Sequence, residues 1–203
     1  GQILLYVDTD APVPAAPGES LGKDAPTPLF DRLRIEFFAP DEDEPCTGCT
    51  RDFAIDARAL RDRKASVGFV PRAGVSGYRA RVRLYRAGGV AGPRPRSTLE
   101  HVLALPAVAA EGIVEVRTRV SVDELGTPSG TLAQPIDAER GRPDASAVGT
   151  WPGSAVARCA AAPADGMACV PGGAFWMGSL ESEASEALIR LAPFAIDTTE
   201  VTV

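Results

Sequence analysis

Four cysteines, one histidine and a contiguous acidic run are the residues of this 203-residue chain with the most chemistry in them. The cysteines form two local pairs, Cys46/Cys49 and Cys159/Cys169. A zinc site needs four thiolates, or thiolates with histidine, at knuckle spacing. The first pair has that spacing, but nine residues separate the second, and His101 lies in a strand-like run. A thioredoxin-like pair needs a thiol pKa lowered by a helix N-terminus or a cation. Here Asp41, Glu42, Asp43 and Glu44 directly precede Cys46, and their field disfavours a thiolate. Two structural disulfides, Cys46 with Cys49 and Cys159 with Cys169, are the reading carried forward. The same acidic run, DEDE, does not read as a calcium loop, whose ligands alternate with spacers and a turn glycine.

Other catalytic sets are missing. One histidine on a strand supplies no Ser/His/Asp triad, and PGGAFWMGS lacks the lysine and spacing of a phosphate loop. Charge is more informative. Residues 57–96 hold eleven bases and one acid, a local +10; with −6 overall, the rest of the chain carries −16. Arg79, Arg81 and Arg83 share one strand face, and with Arg117 and Arg119 they form a candidate site for a polyanion or glycan. The competing reading pairs that face with Glu36, Glu100 and Glu115 on neighbouring strands. No aromatic-and-basic motif accompanies the block, so nucleic acid is not expected as a partner.

Short strands must position these groups. Gln2–Asp8, Arg32–Phe38, Arg51–Asp56, Ser66–Val70, Gly77–Arg86, Ser97–Leu105 and Gly112–Val122 read as strands, with a helical turn over Arg58–Lys64. The clearest are GYRARVRLYR and GIVEVRTRVSV. In the first, Tyr78, Ala80, Val82 and Leu84 oppose the arginines; in the second, Val114, Val116, Thr118, Val120 and Val122 oppose Glu115, Arg117 and Arg119. Strict alternation gives one buried and one wet face. About seven such strands, separated by turn residues, predict an antiparallel β-sandwich of Ig-like or Greek-key type over 1–123.

Residues 124–165 lose periodicity and are rich in Pro, Gly and Ser, which reads as a connector docked in part through Leu132 and Trp151. The longest apolar run, VLALPAVAA, is broken by Pro106 and too short to span a bilayer. No signal peptide is present; a start at Gly1 fits a trimmed chain or one whose leader was removed. From Val170 the chain reads as a turn, whose paired glycines permit positive φ, then an apolar strand, and a second apolar element around Pro193.

VPGGAFWMGS followed by LAPFAIDTTEVT resembles the opening of the formylglycine-generating enzyme family, the sulfatase-modifying-factor domain. Pro171, Gly172, Gly173, Phe175, Met177, Gly178 and Ser179 match its first motif. Pro193, Phe194, Ile196, Asp197, Glu200, Val201 and Thr202 match the second. The resemblance covers residues 166–203 and implies the first strands of an α+β, C-type-lectin-related domain. Active members use copper and O2 to oxidise a substrate cysteine through a late cysteine pair, which this stretch does not contain. Cys159 and Cys169 match no catalytic position, so no catalytic, cofactor or metal residue is assigned. The expectation is the N-terminal part of an exported, lipoprotein-like bacterial envelope protein, acting as a non-catalytic accessory or binding module. The alternative is an envelope protein that recognises a polyanion or glycan through its arginine face.

Overall fold

Alternation directs every second side chain inward, and the computed structural model shows the resulting core enclosed between two sheets. The structure describes residues 1–72, 74–89, 98–178 and 186–200. In chain order the first elements are β1 (Gln2–Thr9), β2 (Arg32–Phe38), β3 (Thr50–Ala54), α1 (Ala57–Arg61) and β4 (Ser66–Phe69). They are followed by β5 (Arg79–Tyr85), β6 (Leu99–Ala104), β7 (Ile113–Val120), β8 (Ile136–Asp137) and β9 (Glu139–Arg140). One sheet has the order β4-β1-β7-β9, the other β3-β2-β5-β6-β8. Asp56 caps α1 by accepting from the Ala59 amide at 2.8 Å.

Register turns sequence alternation into a layer. Leu33, Ile35 and Phe37 of β2 stand opposite Leu84, Val82 and Ala80 of β5, which stand opposite Leu99, His101 and Leu103 of β6. Ile3, Leu5 and Val7 of β1, with Val116 and Val120 of β7, close the core from the other sheet. Phe37 stacks on Phe69 at 4.4 Å between ring centres. Burying each large aliphatic or aromatic side chain contributes roughly 1.5–3 kcal/mol, which makes this layer the main stabilising term.

The protein is a mainly β sandwich, as the alternation predicts, and most of its strand pairs are antiparallel. Two pairings depart from the antiparallel expectation: β1 runs parallel to β7 from Gln2↔Ile113 to Thr9↔Val120, and β6 runs parallel to β8. A parallel strand covered on both faces loses its alternation. β7 keeps its alternation because its outer face, with Arg117 and Arg119, is only partly covered.

Residues 124–165 lie along the sandwich. β8 and β9 each extend a sheet, and the Ala147 amide donates to the buried Asp8 carboxylate at 3.0 Å. The Trp151 amide donates to the Asp10 carbonyl, and the Trp151 ring joins the core at 7% exposure. Leu132 is half-buried and docks through its carbonyl, which accepts from Arg79.

The last elements are β10 (Met167–Val170), β11 (Gly173–Met177), β12 (Ala187–Leu191) and β13 (Phe194–Asp197). β10 pairs with β13 and β11 with β12. Val170 faces Phe194 and, three residues along each strand, Gly173 faces Leu191, so one register runs through both pairs. They form a single antiparallel ribbon broken at Pro171–Gly172 and Ala192–Pro193. At the break, Gly172 exchanges both backbone hydrogen bonds with Ala157 of the connector.

Candidate functional site

The arginine face of β5 is internally neutralised. Glu36 of β2 accepts from Arg81 at 2.8 Å and from Arg83 at 3.2 Å, and Arg83 also pairs with Glu100 of β6. Arg83 is only 4% exposed although it lies on the outer side of its sheet. Such burial demands partners, and the two carboxylates supply them. Arg79 donates to the carbonyls of Ala39, Glu42 and Leu132, clamping the acidic loop and the 132 turn onto the strand. Beside them, Arg34 pairs with Asp52 at 2.7 Å, and the Tyr85 hydroxyl donates to the same carboxylate. Burial, then the hydrogen bond to Asp52, pushes the Tyr85 phenol up to about 12.

Arg117 and Arg119 lie on the other sheet, so the five arginines singled out from the sequence do not share a face. Arg117 pairs with Glu139 at 2.9 Å. Arg119 is exposed, on the rim of a depression of about 320 Å³ that the carboxylates of Asp8, Glu139 and Asp144 also line. Of the three acids expected to offset the basic face, Glu36 and Glu100 do so. Glu115 instead pairs with Arg142, whose hydrogen bonds hold its carboxyl below the ordinary value. Arg94 and Arg96, also counted in the basic block, lie outside the described residues.

His101 is turned into the sandwich. Its Nδ1 meets Thr118 Oγ1 of β7 at 2.8 Å, joining the two sheets, and its Nε2 meets Glu124 Oε2 at 2.8 Å. Glu124 also accepts from the Ser121 amide and the Ser129 hydroxyl, and Ser121 with Glu124 forms a capping box on a 3-10 turn. Burial acts to raise the Glu124 carboxyl, but the Ser121 amide, His101 and Ser129 together hold it below its ordinary value. His101 is therefore a structural bridge between sheets, with both ring nitrogens engaged.

All four thiols are in disulfides, Cys46–Cys49 and Cys159–Cys169, with Cα separations of 5.1 and 6.2 Å. The first closes the turn between β2 and β3, where Cys46 donates to the Phe37 carbonyl and Phe37 to that of Cys49. The second ties the connector to β10. Two disulfides are consistent with an oxidising environment. Among the described residues, no helix is long and apolar enough to cross a membrane.

The inner half of the ribbon is seated on the sandwich. Ala174 is buried, the Trp176 indole donates to the Leu29 carbonyl at 2.9 Å, and the Trp176 ring meets Phe30 edge-on at 5.8 Å. Arg86 lies 6.0 Å over Trp176 and pairs with Glu186, next to β12. The outer half differs, with Phe194 44% and Ile196 52% exposed; in the inner half Met177, at the end of β11, is 55% exposed. The paired glycines do not adopt positive φ, contrary to the turn read from the sequence. Gly172 is there for space, since a Cβ would meet Leu191 O at 2.6 Å and Pro193 N at 2.7 Å. Ser179, Val201 and Thr202 of the two motifs lie outside the described residues.

Sequence reasoning did not pick out Arg86, Trp176 or Glu186 as an interacting set. Their meeting depends on the ribbon's docking, and Trp176 within an aromatic run was the only available signal. No family model, curated protein or solved structure matches the chain.

Proposed function

We propose that this chain is an exported, non-catalytic module in which a β-sandwich seats the first hairpin of a formylglycine-generating-type domain. The observation that carries this reading is the ribbon. The described residues of both motifs lie along or beside its two strands, the two strand pairs share one register, and Gly172 occupies the point where no side chain fits. An isolated two-stranded ribbon is marginal in water. Seating β11 on Phe30 and Leu29 compensates for half of it, and the exposed Phe194 and Ile196 of the other half suit burial under further strands of such a domain. Copper and a late cysteine pair belong to a complete, active domain under this reading, and none of these residues is assigned to either. The two disulfides support maturation in the periplasm, at the cell surface or outside the cell.

The test is translation of the gene through the codons that follow Val203. An open frame encoding further strands of the domain is expected, and a late cysteine pair in it would extend the proposal to catalysis. A frame that closes at once, or continues into unrelated sequence, removes the family reading. The polyanion alternative has less support. Arg81, Arg83 and Arg117 are paired with carboxylates and Arg79 with carbonyls, and an incoming anion would have to displace those partners.

A further inference from the structure

Where the ribbon meets the sandwich, a buried carboxylate is left half-satisfied. The Glu186 side chain is 5% exposed; one oxygen pairs with Arg86, while Oε2 is buried with no hydrogen-bond partner among the described residues. A buried acceptor without a donor is costly, so its persistence calls for an explanation. Glu186 lines a cleft of about 410 Å³ together with Thr98, Leu125, Pro128, Trp176 and Leu188. Thr98 and Pro128 also line a second depression of about 420 Å³, whose floor carries Arg81, Arg83 and Glu100. Sharing Thr98 and Pro128, the two adjoin as one groove that runs from the arginine face of the second sheet to the ribbon.

We propose that this groove binds a neutral carbohydrate, with Glu186 Oε2 accepting a sugar hydroxyl and the Trp176 side of the cleft receiving the apolar face of the ring. Charge selects this class. Arg81, Arg83 and Arg86 are matched by Glu36, Glu100 and Glu186, so the groove as a whole attracts neither a polyanion nor a polycation. Glu186 is already neutralised by Arg86 and asks for an uncharged donor. Paired guanidinium and carboxylate groups give fixed donors and acceptors side by side, which vicinal hydroxyls can satisfy together. Leu125, Pro128 and Leu188 supply the apolar surface over which the C–H face of a pyranose packs. The inference rests on the contact between ribbon and sandwich and not on the family reading.

The experiment is a glycan array of neutral and anionic glycans on the intact disulfide-bonded chain. Titration of the best neutral hit, followed by tryptophan fluorescence, comes next, with heparin as the polyanion control. Saturable binding of a neutral oligosaccharide is expected, insensitive to salt. Glu186→Gln presents a donor or a weaker acceptor at Oε2 and is expected to weaken binding about tenfold. Thr98→Arg fills the junction of the two depressions and is expected to abolish binding, with the melting temperature reporting that each variant folds. No neutral hit, binding unchanged in both folded variants, or binding to heparin alone with steep salt dependence would each overturn the proposal.

Discussion

His101 and Thr118 join the two sheets by a 2.8 Å hydrogen bond in a layer made mainly of aliphatic and aromatic side chains. Neither partner is readily spared alone. Thr118→Val keeps the shape but leaves Nδ1 without its partner in the core, at an expected loss of about 1–3 kcal/mol. His101→Leu leaves the Thr118 hydroxyl unpaired and takes one donor from Glu124. The double variant is expected to lose clearly less than the sum of the singles, because no buried polar group then remains at that point. Urea unfolding of the four proteins measures this, and strictly additive losses would show that the bond does not couple the sheets.

Glu124 makes this bridge sensitive to acid. Its folded carboxyl titrates below the ordinary 4.5, so the stabilisation it gives is complete above that value. That stabilisation disappears as pH falls through the lower folded value, where the carboxylate takes a proton. Glu124→Gln is expected to be less stable than the native chain at neutral pH, with the gap narrowing below about pH 4.5. Urea midpoints across that range test it; a gap that widens in acid would contradict the assigned direction.

Tyr85 works in the opposite direction. A folded pKa of about 12 against an ordinary 10.0 means that its contribution is full below pH 10.0 and is lost as pH rises towards 12. Phenolate absorbance is expected to show Tyr85 ionising near 12 in the native chain. With Asp52→Asn the titration is expected to move down towards 10.0, though not fully, since burial is the larger cause of the shift. A Tyr85 that ionises at its ordinary value would mean that water reaches the hydroxyl.

These sites differ in how far the sequence reveals them. The strand β5 is legible because Ala80, Val82 and Leu84 alternate with arginines, and the same count places Glu36 and Glu100 beside Arg81 and Arg83. Side-chain period is identical in parallel and antiparallel pairs, so nothing local marks β7 as the parallel neighbour of β1. His101 reads as a strand residue, but its partners Thr118 and Glu124 come from other elements, and only tertiary packing selects them. The connector is least legible. Its docking relies on main-chain groups, such as the Ala147 amide on Asp8 and the Trp151 amide on the Asp10 carbonyl, which leave no periodic trace in the side chains.

The adjacent glycines of the ribbon give the sharpest contrast. Composition makes Gly172 and Gly173 equivalent, and neither has the positive φ that would exclude other residues. Their surroundings separate them. A Cβ on Gly172 would press on the main chain of Leu191, Ala192 and Pro193, none of which can swing aside as a flexible side chain would. At Gly173 nothing lies within 4 Å. Gly172→Ala is therefore expected to force the strands apart at the break, costing about 1–3 kcal/mol and loosening the seat of Trp176. Gly173→Ala is expected to be neutral or slightly stabilising, because it restricts the unfolded chain without meeting an obstacle. Limited proteolysis of residues 166–200, read beside tryptophan fluorescence, distinguishes the two. Equal tolerance of both substitutions would show that the ribbon does not close at Gly172, and the spatial explanation of the Pro-Gly-Gly motif would fall with it.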